Sequence, residues 1–233
     1  MQETLAERTY RELRQWVLEG GLRPGDQLVY RTLARRLKVS LAPVREAIQR
    51  LAAEGLIQNV PGAGAFVRTI DKECIQELYV LREALESAAA AEAARNRTEE
   101  QMAEIEAACR EFAPVAGELR RRKARAATRE MMDRWLDLEE RFHSVLVEAA
   151  RNSLLTKAVR DYQALGRIFG AQRDQADLLT PDVAERTSRD HEALTEALRR
   201  RDPERARQLM AEHIRQGRRM ILDSLRQSPR GGG

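Results

Sequence analysis

Apolar residues in the first part of the chain recur at helical spacing in three separate stretches. Residues 4–19 carry Leu, Tyr and Val side chains toward one side, and residues 30–37 have two leucines four positions apart. Residues 41–53 place apolar side chains at i, i+4 and i+7. This period predicts three amphipathic helices. Ser40, immediately before the third stretch, is a residue type that favours the N-cap position.

The pattern changes to short extended runs after the third helix. Residues 56–60 and 65–67 are short, mainly apolar runs, and Pro-Gly-Ala-Gly lies between them. Two such runs around a glycine-rich turn predict a β-hairpin. Three helices followed by a small hairpin predict a winged helix-turn-helix over residues 1–70. In that arrangement the third helix enters the major groove and the wing lies along the backbone.

Only helical periodicity is found from Asp71 onward. The helices are predicted near 71–96, 98–112, 117–150, 153–170, 181–200 and 203–226, with a break in the third near Thr128. The predicted fold class is therefore mostly α, with an all-α bundle of about six or seven helices over residues 71–227 behind the winged helix-turn-helix. A short linker is expected around Thr69-Ile70, and residues 228–233 are expected to be a disordered tail.

The charge of the chain is unevenly distributed. The formal net charge is +4, and charged residues make up 33% of the chain against 4% aromatic residues. Residues 1–70 contain 11 Lys+Arg and 7 Asp+Glu, whereas the remaining 163 residues contain 30 of each. The whole excess lies in the first part, which is expected if that part alone meets a polyanion; chance is the alternative. The basic run at 119–125 is interpreted as a solvated helix face or loop rather than a second nucleic-acid patch.

The cysteines and the apolar runs limit the class of protein. Cys74 and Cys109 have no CxxC partner, so neither a disulfide framework nor a thiolate zinc cluster is expected. The N-terminus lacks the apolar core of a signal peptide, and no apolar run reaches about 18 residues. These features predict a soluble, cytoplasmic protein without a membrane partner.

All three histidines of the chain fall on apolar stripes of predicted helices. They are His143, His191 and His213, and Glu139 precedes His143 by one helical turn. Residues four apart share a helix face, so Glu139 and His143 can bind one ion together. Three imidazoles and a carboxylate suit a divalent cation, with Zn²⁺ expected first and Ni²⁺ or Mn²⁺ as alternatives. A single buried histidine is more often a hydrogen-bonded core residue, and Asp190 or Glu140 is a weaker candidate ligand.

Several motifs resemble a known family of regulators. Residues 5–67 resemble GntR-type winged-helix regulators. The matching segments are Leu-Arg-Pro-Gly-Asp-Gln-Leu from Leu22, Pro-Val-Arg-Glu-Ala-Ile-Gln-Arg-Leu from Pro43, and the Gly-x-Gly-x-Phe-Val wing at 62–67. Residues 78–222 resemble the all-helical effector domain of the FadR branch, often called FCD. Its marks are Leu-Arg-Glu-Ala-Leu-Glu from Leu81, Glu-x-x-Phe-His at 139–143, and an Asp-His pair followed 22 residues later by another His.

The resemblance implies how the first domain contacts DNA. Arg31, Ser40 and Arg45 fall where the family contacts DNA, and Gly64 falls at the wing tip. An arginine on the recognition helix can bond the O6 and N7 of guanine, and a helix N-terminus can hold a phosphate. The family implies a homodimer on a palindromic operator. Where the family often has Arg-Thr after the serine, this chain has Leu41-Ala42, so its base readout is expected to be thinner or aimed at other bases.

The resemblance also implies an effector cavity in the second domain. It places Arg82 in that cavity, where a guanidinium can clamp a carboxylate by two parallel hydrogen bonds. The alternative is a surface ion pair with Glu86, four residues along the same helix. The family usually has Asp where this chain has Glu139, so this ligand is one methylene longer.

These observations predict a transcriptional regulator, a homodimeric repressor whose operator binding responds to a small organic acid held at the metal. Two alternatives remain. A metal-dependent, hydrolase-like enzyme would use the ion to activate water, although no general base or nucleophile is evident beyond the ligands. A direct metal-ion sensor would take the ion itself as the signal.

Overall fold

A computed structural model describes residues 3–69, 71–122, 125–168 and 176–227. The chain divides into two compact units, and the main division falls after Asp71. The predicted fold class, mostly α with a small N-terminal hairpin, is confirmed. The expected tail at 228–233 lies outside the described residues, as do Ile70 of the expected linker and the last two residues of the helix predicted to end at 170.

The first unit is a three-helix head with a hairpin. Its elements are α1 Leu5–Leu18, α2 Tyr30–Leu37, α3 Leu41–Ala53, β1 Ile57–Val60 and β2 Gly64–Val67. The two strands are antiparallel, with Ile57 opposite Val67 and Val60 opposite Gly64. Val44, Ile48 and Leu51 of α3 are buried, as their helical spacing predicts. An isolated bridge between Gln27 and Phe66 adds a short third segment beside the hairpin, which the sequence pattern did not indicate.

The second unit is a helical bundle. Its helices are α4 Lys72–Asn96, α5 Glu99–Arg110, α6 Phe112–Arg121, α7 Arg129–Ala149, α8 Ser153–Ile168, α9 Pro181–Arg199 and α10 Pro203–Gln227, with a short 3-10 turn at Ala176–Leu178. The residues of α8 from Gln163 onward group with the first unit. The longest helices, α4 and α10, pack against each other, and α9 contacts both α6 and α10. Three of these helices have a threonine N-cap, whose hydroxyl accepts a hydrogen bond from a backbone N–H in the first turn. The caps are Thr98 for α5, Thr128 for α7 and Thr180 for α9.

The helix expected to start at 117 starts earlier. Because α6 begins at Phe112, directly after α5, the expected loop before 117 is helical. Pro114 does not prevent this, since it lies in the first turn, where the backbone N–H has no helical partner to lose. The break expected near Thr128 is where α7 begins. None of the helices in the described segments combines the length and apolarity of a membrane span.

Candidate functional site

Four side chains from three helices of the second unit converge in its interior. Helix α7 supplies Glu139 and His143, α9 supplies His191, and α10 supplies His213. One donor atom from each lies within 4.8 Å of every other. Their convergence follows from the helical period, because each of these residues lies on the apolar face that its helix turns inward. Neither Asp190 nor Glu140, the weaker candidates, belongs to this set of donor atoms.

The distances within this cluster fit a small divalent cation. The Nε2 atoms of His143 and His213 are 3.2 Å apart. Glu139 Oε2 lies 3.5 Å from Nε2 of His143 and 3.7 Å from Nε2 of both His191 and His213. Four ligand atoms at about 2.0–2.1 Å from a tetrahedral Zn²⁺ stand about 3.3–3.4 Å apart. These four of the six spacings are close to that value, and all six are within 4.8 Å.

The buried ring of His191 gives a second, independent indication of a ligand site. Its side chain is fully buried, and neither ring nitrogen has a hydrogen-bond partner. Leaving a buried polar group unsatisfied costs about 1–3 kcal/mol. Burial holds the pKa of His191 well below its usual range, so the ring is neutral and one nitrogen carries a free lone pair. A neutral imidazole is the form that binds metals, and the donor set therefore fits a metal ion.

Glu86 is a buried carboxylate beside the cluster. The sequence indicated it only as the partner of Arg82 in the alternative surface ion pair. It is fully buried on α4 and contacts Nδ1 of His143. It also accepts hydrogen bonds from Arg82 Nε, at 2.8 Å, and from the hydroxyl of Tyr162 on α8. An N–H at Nδ1 that donates to Glu86 leaves Nε2 of His143 as the atom that faces the cluster. The only sequence signal was an acid in the alanine-rich stretch of α4.

The charges around Glu86 are strongly coupled. Burial alone would raise the pKa of Glu86, but Arg82 and His143 hold it well below its usual range. Burial likewise opposes the charged form of His143, yet Glu86 and Glu139 raise its pKa to about 9. Without a metal, His143 is therefore protonated at neutral pH. Glu139 behaves like Glu86. Burial alone would raise its pKa, but the three histidines lower it well below its usual range.

A cavity of about 110 Å³ opens beside the cluster. Glu139 and His213 line it, and so does Arg82. The Arg82 guanidinium pairs with Glu86 and also borders the cavity. Because Glu86 is fully buried, this is not the surface ion pair of the alternative. The Arg82 side chain is only 24% exposed.

The residues expected to contact DNA all lie on the surface of the first unit. Arg31 is on α2, and Arg45 is on the outer face of α3; both are exposed. Ser40 holds the N-cap backbone conformation of α3, but its hydroxyl makes no capping hydrogen bond, which differs from the expected cap. The exposed Gly64 is the first residue of β2, next to the turn at 61–63, with a φ of +111° that favours glycine.

Helix α3 is anchored to α1 by a polar network. The hydroxyl of Tyr10 donates to Glu54, the residue that ends α3, and Arg14 Nε donates to the same carboxylate at 3.3 Å. The guanidinium of Arg50 lies 4.0 Å from the centre of the Tyr10 ring. Burial and the bond to Glu54 raise the pKa of Tyr10 to about 12. This network holds the end of α3, while Ala42, Arg45 and Glu46 in its first two turns are exposed.

Comparisons with known proteins agree with this two-part arrangement. Two family models match the chain, "Bacterial regulatory proteins, gntR family" over residues 5–67 and "FCD domain" over residues 77–216. The HTH-type transcriptional repressor RspR of Escherichia coli strain K12 is 28% identical over 218 residues, which cover 94% of this chain and 87% of that protein. The Nta operon transcriptional regulator of Aminobacter aminovorans is 34% identical over 138 residues, covering 59% of this chain and 60% of that protein.

Solved structures show the same fold. E. coli McbR/YncC superposes with a TM-score of 0.70 at 21% identity, over 96% of this chain and 100% of that one. A GntR regulator from Rhodococcus sp. RHA1 gives a TM-score of 0.67 at 22% identity, over 94% of this chain and 98% of that one.

The matched families and relatives are transcriptional regulators, which confirms the expectation that the chain is not an enzyme. The head, the helical bundle and both family matches lead to one conclusion. The chain belongs to the GntR family: it is a DNA-binding transcriptional regulator with an FCD domain, an architecture that fits the FadR branch.

Proposed function

We propose that this chain is a repressor whose hold on its operator is changed by a small organic acid bound at a metal centre in the FCD domain. The observation that carries the proposal is the cluster of Glu139, His143, His191 and His213 at one end of a cavity that Arg82 also lines. The printed names of two relatives, RspR and GlaR of E. coli strain K12, describe repressors. They support the sign of regulation proposed here.

The four clustered side chains would hold the ion, with Zn²⁺ favoured and Ni²⁺ or Mn²⁺ as alternatives. A bound divalent cation supplies a Lewis-acid centre that attracts a carboxylate. The residues of the chain do the rest. Glu86 holds Nδ1 of His143 so that Nε2 faces the cluster, and the Arg82 guanidinium offers donors to an anion that enters the cavity.

In the head, we propose that Arg45 reads base edges and that Arg31 and Ser40 contact bases or phosphates, with Gly64 at the wing. Two observations support these roles. The four residues are exposed on one small domain, and their positions match the family motif. A homodimer on a palindromic operator would place two such heads on two half-sites. The acid would favour an arrangement of the dimer that binds DNA weakly, and a difference of a few kcal/mol is enough.

The metal part is tested by measuring bound metal in purified protein. We expect about one equivalent in the wild type and in Glu140→Ala, whose carboxylate is outside the cluster. We expect Glu139→Ala to lose the metal, because removing one ligand weakens a buried site severely. Equal metal content in Glu139→Ala and the wild type would contradict the assignment.

The regulatory part is tested by fluorescence anisotropy with operator fragments from the gene's own upstream region. Arg45→Ala is expected to weaken specific binding by about 1–3 kcal/mol, the value of one bidentate base contact. Metal-loaded wild type should release the operator when organic acids are added, and the Glu139→Ala variant should not respond. If added metal alone changes operator binding and no acid does, the direct metal-sensor alternative is correct instead.

A further inference from the structure

The cavity beside the metal cluster is about two helical turns long. On α7 its lining runs from Glu139 back to Met132, and on α10 from His213 forward to Met220. Each pair is separated by seven residues, and a helix rises about 1.5 Å per residue, so both walls extend about 10 Å from the cluster. Helix α9 gives a similar length, because Val183 lines the cavity eight residues before His191 of the cluster.

The chemistry of the lining changes along this length. The end at the cluster is ionic, with Glu139, His213 and, one turn before Glu86, the Arg82 guanidinium. The middle carries Trp135, hydrogen-bonding groups at Thr187 and Gln216, and the exposed cationic side chain of Arg186. The far end lies seven or eight positions from the ligands, near the 3-10 turn. Its lining residues are apolar: Met132, Val183, Met220, Leu178 of the turn and Leu179 directly after it.

Resting on the proposed function, we infer that the effector is a monocarboxylic acid with an apolar tail of about five carbons, rather than a compact hydroxy acid or a dicarboxylate. The carboxylate would bind at the cluster and Arg82, and the tail would lie against the methionines and leucines. Carbon–carbon bonds of about 1.5 Å advance a zigzag chain by about 1.3 Å each. After about 3 Å for the carboxylate and its ligand bond, the remaining 7 Å takes about five bonds.

The expected selectivity follows from this gradient. Each buried methylene contributes about 0.8 kcal/mol, which is about a fourfold decrease in Kd. A second carboxylate at the far end would face apolar side chains. Arg186, the one cationic side chain besides Arg82 among the described lining residues, is exposed and lies three residues nearer His191 than Val183 does. A dicarboxylate of matching length should therefore bind at least about tenfold more weakly than the monocarboxylate.

The experiment uses the metal-loaded full chain with the substitution Trp16→Phe. This leaves Trp135, which lines the cavity, as the sole tryptophan and a fluorescence reporter of binding. Acetate, butanoate and hexanoate are titrated beside succinate and adipate. We expect the Kd to fall about fourfold per methylene up to hexanoate, and adipate to bind at least about tenfold more weakly than hexanoate.

A substitution at the far end should invert the preference. Met220 is only half-buried, and Met220→Arg places a guanidinium where the tail would end. Hexanoate should then bind about tenfold more weakly and adipate more tightly than in the parent. Gln208→Arg is the matched control, because it adds the same charge on an exposed position of α10 outside the cavity, and the order of affinities should not change. Far-UV circular dichroism verifies folding, and if Met220→Arg does not fold, the length series decides alone.

The outcomes separate this inference from the proposed function. Acids that bind with no dependence on chain length, or adipate that equals hexanoate, would overturn the apolar-tail effector while leaving the acid-responsive metal site standing. If the metal-loaded protein binds none of the acids, the proposed function itself fails.

Discussion

Glu86 connects the cluster of three histidines and Glu139 to two further helices of the bundle. Its carboxylate joins three helices, through Arg82 on its own α4, His143 on α7 and Tyr162 on α8. A carboxylate that accepts the second ring N–H of a ligating histidine fixes its tautomer and raises its basicity. We therefore assign Glu86 a positioning role, without direct contact with the proposed ion.

We predict that Glu86→Gln weakens metal binding about 10–100-fold, the usual cost of losing such a partner. The amide keeps the shape of the side chain but removes the charge that His143 meets. Competition with a chromogenic chelator measures the change. Tyr162→Phe is the control, because it removes one hydrogen bond to Glu86 and leaves the contact with His143, so its Kd should change much less. An unchanged Kd in Glu86→Gln would show that Glu86 serves packing alone.

At the scale of elements, two arginines join the C-terminal ends of α4 and α9. Arg97, after the end of α4, donates to the carbonyls of Leu198 at 3.2 Å and Arg199 at 3.0 Å, in the last turn of α9. Arg201, after the end of α9, donates to the carbonyls of Arg95 and Arg97 at 3.2 and 3.3 Å. The last carbonyls of a helix lack partners within it, and a cation there also favours the helix dipole. The pair fixes the two helices that carry Glu86 and His191.

The two arginines should differ in their contribution to stability. The side chain of Arg97 is only 4% exposed, whereas that of Arg201 is 46% exposed. Arg97→Met should lower the free energy of unfolding by about 2–4 kcal/mol, because buried charged hydrogen bonds are lost and carbonyls are left unsatisfied. Arg201→Met should cost less than about 1 kcal/mol, since solvent replaces its bonds. Urea denaturation measures both, and equal losses would refute the distinction.

At the scale of the whole molecule, the cluster couples ligand state to the stability of the fold. Without metal, the folded protein holds a proton on His143, whose pKa of about 9 exceeds the usual value of 6.5. Its contribution to stability is therefore complete below pH 6.5 and is lost as pH rises through 9. With metal, the ligands must be deprotonated, so metal binding strengthens over the same interval. Protons and the proposed metal would therefore compete for one site.

The stabilisation by metal should therefore grow with pH. We expect the difference in Tm between metal-loaded and chelator-treated protein to increase from pH 6.5 to pH 9. Differential scanning fluorimetry across that range measures it. Glu139→Ala should show little difference at any pH, because the metal no longer binds tightly. A difference that shrinks as the pH rises would mean that the histidines do not hold the ion.

Much of the architecture was predictable from the sequence alone. Helical spacing at Val44, Ile48 and Leu51 identified the buried face of α3, and glycines around short apolar runs indicated the hairpin. The three histidines and Glu139 could be placed on inward faces for the same reason, and the structure brings their donor atoms within 4.8 Å. Periodicity reports which face of a helix is buried, because burial of apolar side chains repeats with the helical turn.

Periodicity does not report which helix that face meets, and this is what only the tertiary structure decided. Glu86 lies 57 residues from His143 and 76 from Tyr162, so no local pattern predicted that a carboxylate on α4 would be buried between them. Helix α6 begins at Phe112, earlier than the predicted 117, and it accommodates Pro114 because a proline in the first turn displaces no helical hydrogen bond. The cavity and its apolar end arise from how α7, α9 and α10 are packed, since the space between helices is a property of the assembled bundle and not of any one helix.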